Sequence, residues 1–522
     1  MRNAAGPVLN RRAALAGAAA AIAVAALPGR AGAAPDRTHY AAIVIGTGFG
    51  GAVAAARLGA AGVDTLVLER GRSFPHDDRA ATFAPGTDIT DPRALWAPQF
   101  GRTGVLETKL LGSVAEVNGA VVGGGSVVYC GATVAPHPRY YDKVFRAGPS
   151  YRELSGEYVP RALRRLRAEP IPGDVRASAP FASVRVFDAM MARAGMPCSP
   201  LASTFDWGVV RRELRGEVRA SAIAGECGFG NSNGSKRSLD TTYLRDALAA
   251  GVALRTLHRA VAVRQERDRL AVEVEVLRPD GAVDRRRTFT CGELYLGAGA
   301  YGTTELLLAS RLAGGLTRMN EHVGTGVGDN CDQFLARVPA IVPQLDPMAI
   351  VSSAFVDDDP NYQPMRVENL GTGIPSGAVG ALLIGVDWEN RTRWSTASGR
   401  PELVVPPGAL TRDAGPAAAR VAERVTAANG GVALTPLPGS VVPGLAPAIA
   451  LSSGRLPVSL TAHLLGGAPI GLATDAAGRL HGHPAIRIVD GALNPGNACG
   501  ANPSLVITAF AEYVMDRARR AA

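Results

Sequence analysis

Gly46-Thr47-Gly48-Phe49-Gly50-Gly51 has the spacing of a turn that holds a pyrophosphate. Glu69, about twenty residues further on, has the chemistry to accept hydrogen bonds from ribose hydroxyls. Gly46 permits the tight turn, Gly48 lets the backbone approach an anion, and Gly51 packs a helix against a strand. A helix that opens at this turn points free N–H groups and the positive end of its dipole at the phosphates. A second cluster, Gly123-Gly124-Gly125-Ser126, suits neither a helix nor a strand interior. It fits a loop pressed against a flat or anionic group, or a flexible turn. Gly297-Ala298-Gly299 places small residues where backbone must pass close to a ligand or to another strand.

The elements needed to position these residues are legible around them. Ala42–Ile45 and Thr65–Leu68 read as buried strands on either side of a small-residue helix, giving a strand–turn–helix–strand unit that ends on an acid. Val252–Arg264 and Leu270–Leu277 read as strands, with Asp280-Gly281 as a turn. A short strand, Glu293–Leu296, leads through Gly299 into a helix opened by Thr303 and Thr304. The tail gives a strand at Ile486–Val489, then Asp490-Gly491, then a helix with Asn502 as its N-cap and Pro503 at its first position. The expected class is α/β, a Rossmann-type nucleotide-binding domain carrying a second, substrate-facing domain. Residues 36–138, 236–330 and 460–522 are assigned to the first, and 139–235 and 331–459 to the second.

Composition narrows the possibilities. The chain has 522 residues, 47% hydrophobic and 19% charged, enough for a large core. The segment 1–33 reads as a twin-arginine-type leader. Asn10-Arg11-Arg12 precedes an apolar run, Ala16–Leu27, and a cleavage pattern at Ala31-Gly32-Ala33. That run is too short for a stable membrane span, and export of an already folded protein to the outside is the implied route. Without the leader the formal charge falls from +9 to about +5, with no Lys/Arg tract of the kind that binds nucleic acid. The six cysteines form no C-x-x-C pair, so no metal site is expected; one disulfide or buried free thiols remain open.

Taken in order, these blocks resemble the glucose–methanol–choline (GMC) oxidoreductase family, and within it the bacterial flavin-containing cholesterol oxidases. The resemblance covers most of the chain after the leader. It is densest in VIGTGFGGAVAAARLGAAGVDTLVLERG, VVGGGSVVYCGATVAPHPRYY, GNSNGSKRSLDTTYL, LYLGAGAYGTTELLL, AHLLGG and VDGALNPGNACGANPSLVITAFAE. The resemblance implies a substrate domain built of an antiparallel sheet plus helices, and non-covalently bound FAD. Gly46, Gly48, Phe49, Gly50, Gly51 and Glu69 would hold its ADP part. Gly123, Gly124, Gly125 and Ser126 would lie near the isoalloxazine ring and phosphates, with Gly299, Asp490, Gly491, Asn502 and Pro503 also beside the cofactor.

By the same resemblance, His463, Asn502 and Glu368 are the catalytic residues. The histidine would orient the alcohol and take its proton. The asparagine would stabilise developing charge. The glutamate would move a proton between steroid carbons, with a pKa raised by its apolar pocket. The implied partners are a sterol or other apolar alcohol, O2, and a membrane surface touched transiently by a monomer. The chain departs from the family pattern at Leu464, at Tyr129-Cys130 and at Ser504, and its segment 74–118 is shorter. An alcohol or polyol dehydrogenase of the same family using another electron acceptor, and a catalytically inactive secreted flavoprotein acting as a binding module, are the competing expectations.

Overall fold

The computed structural model describes residues 37–85, 88–338, 349–371, 377–435 and 459–520. The expected leader at 1–33 lies outside the described residues.

Five parallel strands set the site. His39–Ile45, which is buried along Ala42–Ile45, lies between Thr65–Leu68 and the end of Val283–Leu296. Ala253–Arg255 adds outside Thr65–Leu68, and His483–Ile488 adds beside Val283–Leu296. Registers pair Ile45 with Leu68 and with Leu296, and Leu296 with Ile488. The strands therefore end level, which brings Gly46, Glu69, Gly297 and Asp490 to one edge. In open parallel sheets, ligands bind beyond this carboxyl edge. The helix Phe49–Ala60 covers the sheet and packs on the final helix, Pro503–Arg520. Arg57 ties the two, pairing with Glu512 at 3.0 Å and with Asp516.

A second sheet of six antiparallel strands carries the other half of the site. Its central members are Asp332–Val338, Val379–Gly385, Met365–Leu370 and Ser352–Val356, in that order. The helices Ala182–Arg193 and Ala414–Asn429 bury apolar faces against it. Together with the parallel sheet this gives the expected α/β class.

Local expectations needed three corrections. Val252–Arg264 is two strands, Ala253–Arg255 and His258–Gln265. The first pairs with Thr65–Leu68 and the second with Leu270–Leu277, and left-handed Leu257 (φ 56°) turns the chain between them. Glu293–Leu296 is only the end of a strand that begins at Val283, whose first half pairs antiparallel with Leu270–Leu277. The helix expected to open at Thr303 and Thr304 starts at Gly299, because Asp490 holds both the Gly299 N–H (2.9 Å) and the Thr303 hydroxyl (2.5 Å).

Candidate active site

A cavity of about 650 Å³ begins at the carboxyl edge of the parallel sheet and runs to the six-stranded sheet. At its first end, glycines let three backbone segments meet. Gly46 has φ +89°, and a Cβ there would stand 2.3 Å from the Gly297 carbonyl. A Cβ on Gly124 (φ +54°) would lie 2.7 Å from the Gly48 Cα, so the triple-glycine loop rests directly on the first turn. Gly51 closes on the Gly46 carbonyl, while Gly50 presses on the Val489 carbonyl, and so the close approach assigned to Gly51 is shared with Gly50.

Glu69 is buried and accepts from the Thr47 N–H (3.0 Å), the Thr47 hydroxyl (2.5 Å) and the Gly71 N–H (2.8 Å). Three of its roughly four lone-pair sites are thereby used to lock the turn, leaving one for a ribose hydroxyl. Gly46, Gly48, Phe49, Gly50, Glu69, Gly124, Gly125, Gly299, Asp490, Gly491, Asn502 and Pro503 all line the cavity. Gly51, Gly123 and Ser126 lie behind it. The Ser126 hydroxyl donates to the Gly123 carbonyl (2.7 Å) and accepts from the Leu239 N–H (2.9 Å), and so shapes the loop. Glycine turns that approach one another, a helix N-terminus and a buried acid form a cradle that a dinucleotide fits.

The second cluster joins segments far apart in sequence. His463 lines the cavity, and its Nδ1 meets Asp332 Oδ1 at 2.8 Å. Asp332 Oδ2 accepts from the Thr461 hydroxyl at 2.9 Å, and that hydroxyl accepts from the His463 N–H at 2.9 Å. With Nδ1 engaged, Nε2 is the nitrogen available to a molecule in the cavity. Burial alone would push the imidazole down, but Asp332, with Glu368 and Asp329, raises its pKa above 6.5.

Glu368, in the Met365–Leu370 strand, is fully buried and accepts from Asn502 Nδ2 at 3.0 Å. Burial, opposed by Arg366 and Asn502, pushes its pKa up to about 7. Asn502 precedes the last helix as expected, yet its side chain is turned to Glu368 and is not a cap. Among the described residues its buried Oδ1 has no partner, and neither has Oε1 of Glu368. Asn502 lines the cavity, so its Oδ1 is an acceptor open to a bound molecule, while Glu368 lies behind it, outside the lining.

Asp332 was not singled out from the sequence. The available signal was Asp329-Asn330-Cys331-Asp332, in which Asn330 and Cys331 are both left-handed (φ 60° and 55°). Asn330 accepts from the Ala498 N–H (2.8 Å) and donates to the Ala501 carbonyl (2.9 Å), fixing the loop that presents Asn502. At the departures from pattern, the Tyr129 hydroxyl bonds Thr204 (2.5 Å) and its ring meets Phe49 edge-on at 5.4 Å. Ser504 donates to the Ala132 carbonyl at 2.9 Å. Among the described residues no group of acids, histidines and cysteines is arranged to hold a metal. No helix among them is long and apolar enough to cross a membrane.

Residues 40–333 match the N-terminal family model of the GMC oxidoreductases and residues 406–511 match the C-terminal one. The chain belongs to the GMC oxidoreductase family. It is therefore an alcohol-type oxidoreductase by family, and GMC members generally bind FAD. Among its relatives, a cholesterol oxidase of Mycobacterium tuberculosis is 28% identical over 91% of this chain and 90% of that protein. A cholesterol oxidase of Acinetobacter baumannii is 23% identical over 63% and 61%, and a long-chain-alcohol oxidase of Arabidopsis thaliana is 26% identical over 53% and 35%. The GMC fold is shared with a pyridoxine 4-oxidase from Mesorbium loti (TM-score 0.61, 16% identity, covering 92% of this chain and 99% of that one). It is shared equally with a fungal aryl-alcohol oxidase (TM-score 0.60, 15% identity, 92% and 100%).

Proposed function

We propose that this protein is an exported oxidase of 3β-hydroxysteroids or similarly bulky apolar alcohols, with non-covalent FAD as cofactor, O2 as acceptor and hydrogen peroxide as product. The observation that carries the reading is the convergence of His463, Asp332 and Asn502 at a cavity continuous with the glycine cradle, with Glu368 held directly behind Asn502. The walls near them, including Val117, Phe334, Ile350, Leu370, Leu382 and Leu460, are apolar and suit a hydrocarbon skeleton. Similarity to two cholesterol oxidases supports the sterol class. In this reading 36–138, 236–330 and 460–522 hold the cofactor, and 139–235 and 331–459 face the substrate.

Bound FAD would supply the hydride acceptor. His463 Nε2 takes the hydroxyl proton as the carbon–hydrogen bond breaks, and Asp332 stabilises the imidazolium that results. Asn502 offers Oδ1 to the substrate or cofactor while Nδ2 steadies Glu368. Glu368, poised near neutrality, carries a proton between carbons and brings the double bond of the ketone into conjugation. A second reading, an alcohol bearing a distant polar group and a different electron acceptor, is favoured by Lys109 and Glu116 on the same cavity wall.

The test is anaerobic mixing of the FAD-loaded protein with cholesterol in detergent, following flavin absorbance. Bleaching that air reverses with peroxide release supports the proposal. A flavin that cholesterol leaves unbleached but a polar alcohol bleaches overturns it in favour of the second reading.

A further inference from the structure

Beside the triple-glycine loop lies a second set of reactive side chains, of which Cys130 reaches the cavity lining while Lys236 and Cys227 are buried behind it. Lys236 is 1% exposed, and its Nζ donates to the carbonyls of Val127 (2.7 Å), Tyr129 (2.9 Å) and Cys227 (2.7 Å). These three bonds use its three N–H groups but do not neutralise its charge. Among the described residues no carboxylate forms an ion pair with it. Asp240, the acid that acts on it from the next turn, is taken by His76 Nε2 (2.8 Å) and the Ser238 hydroxyl. A buried ammonium requires a counter-charge. The atom in place is Cys227 Sγ, 3.8 Å from Nζ.

Cys227 is itself 1% exposed and hydrogen-bonds to Cys130; as a thiol it also reaches the Tyr129 carbonyl at 3.1 Å. Cys130 lines the cavity, with Tyr129 on one side of it, and Gly228 and Phe229, the residues after Cys227, line it too. Two thiols in contact, one facing the cavity and the other against a buried ammonium, are equipped for two-electron redox chemistry. Burial disfavours a thiolate at Cys227, but the bond from Cys130 and the Lys236 charge outweigh it and hold its pKa below the ordinary thiol value.

We propose that Cys130 and Cys227 are a peroxide-reactive pair that closes to a disulfide in the wall of the active-site cavity. The sulfur that carries the charge attacks one oxygen of hydrogen peroxide and the O–O bond breaks. The departing hydroxide takes a proton and leaves as water, and the sulfur becomes a sulfenic acid. The partner thiol then attacks that sulfur, its proton going to the sulfenic oxygen, and a second water departs as the S–S bond forms. Two thiols are oxidised by two electrons and one peroxide is reduced to two waters. Lys236 acts as a positioning residue that keeps negative charge on sulfur inside the protein. That peroxide arises in the same cavity rests on the oxidase reading; the chemistry of the pair does not.

The test adds hydrogen peroxide as a reagent to the full FAD-loaded protein, quenches with catalase, alkylates under denaturing conditions and maps peptides by mass. The expected result is loss of two of the six thiols, a single Cys130–Cys227 cross-link, and recovery of both thiols with dithiothreitol. Lys236→Met should slow cross-linking at neutral pH at least tenfold; should that variant not fold, Cys130→Ser keeps Lys236 and should give no cross-link. Six alkylated thiols after peroxide, a cross-link through another cysteine, or irreversible oxidation of one sulfur without a cross-link overturns the proposal. A cross-link in a protein whose flavin no alcohol bleaches would sink the oxidase reading and leave the pair intact.

Discussion

Replacing Glu368 by Gln should stabilise this protein in alkaline solution, although the residue sits at the centre of the active cluster. The side chain is fully buried, one carboxylate oxygen has no partner among the described residues, and its pKa is raised from 4.5 to about 7. A carboxyl group with a raised folded pKa stabilises the fold fully below the unfolded pKa. That contribution is lost as pH rises through the folded value, here between 4.5 and about 7. Each pH unit across that window costs about 1.4 kcal/mol, so ionised Glu368 removes about 3 kcal/mol by pH 8. The carboxamide has the same shape, keeps an acceptor for Asn502 Nδ2 and carries no charge. For a chain of this length about 3 kcal/mol corresponds to roughly 3 °C in thermal midpoint. Circular-dichroism melts of the FAD-loaded wild type and Glu368→Gln across pH 4 to 8 would read it. The gain should be present at pH 8 and vanish toward pH 4. A variant less stable at pH 8, or one equally stabilised at both ends, would refute the assignment of a costly buried charge.

Other predictions concern chemistry. Asp332→Asn removes the charge that raises His463, so the acid limb of the kcat/KM profile should move down by roughly 1–3 pH units; an unmoved limb would detach Asp332 from the titrating base. His463→Ala should lower kcat about 10²–10⁴-fold with the bound-flavin spectrum unchanged; full activity would exclude it as the base. Gly124→Ala places a Cβ 2.7 Å from Gly48 Cα, so the purified variant should carry far less flavin per chain, read by absorbance. With a sterol donor, Glu368→Gln should still form the ketone but leave its double bond unconjugated, as chromatography of the products would show.

The cofactor cradle was legible because its parts are local. A buried strand, a glycine turn, a helix and an acid succeed one another in Ala41–Gly71, and backbone geometry fixes their relation whatever the rest of the chain does. The resemblance to the GMC oxidoreductases pointed to His463, Asn502 and Glu368. Their relation was not legible, because Asp332, Glu368, His463 and Asn502 come from four separate segments whose approach depends on two sheets meeting. No spacing in the chain encodes that Asp332 faces the imidazole or that Asn502 turns from its own helix to Glu368.

Ionisation divides in the same way. Residue types alone show that a carboxylate, an imidazole and a carboxamide are present, and that Cys130 follows the triple-glycine loop while Cys227 and Lys236 lie about a hundred residues on. It takes the packed fold to strip Glu368 of water, pushing its pKa up to about 7, and to set Lys236 Nζ 3.8 Å from the Cys227 sulfur. The reason is that local backbone preferences act over a few bonds, whereas desolvation and charge pairing depend on every segment packed around a group.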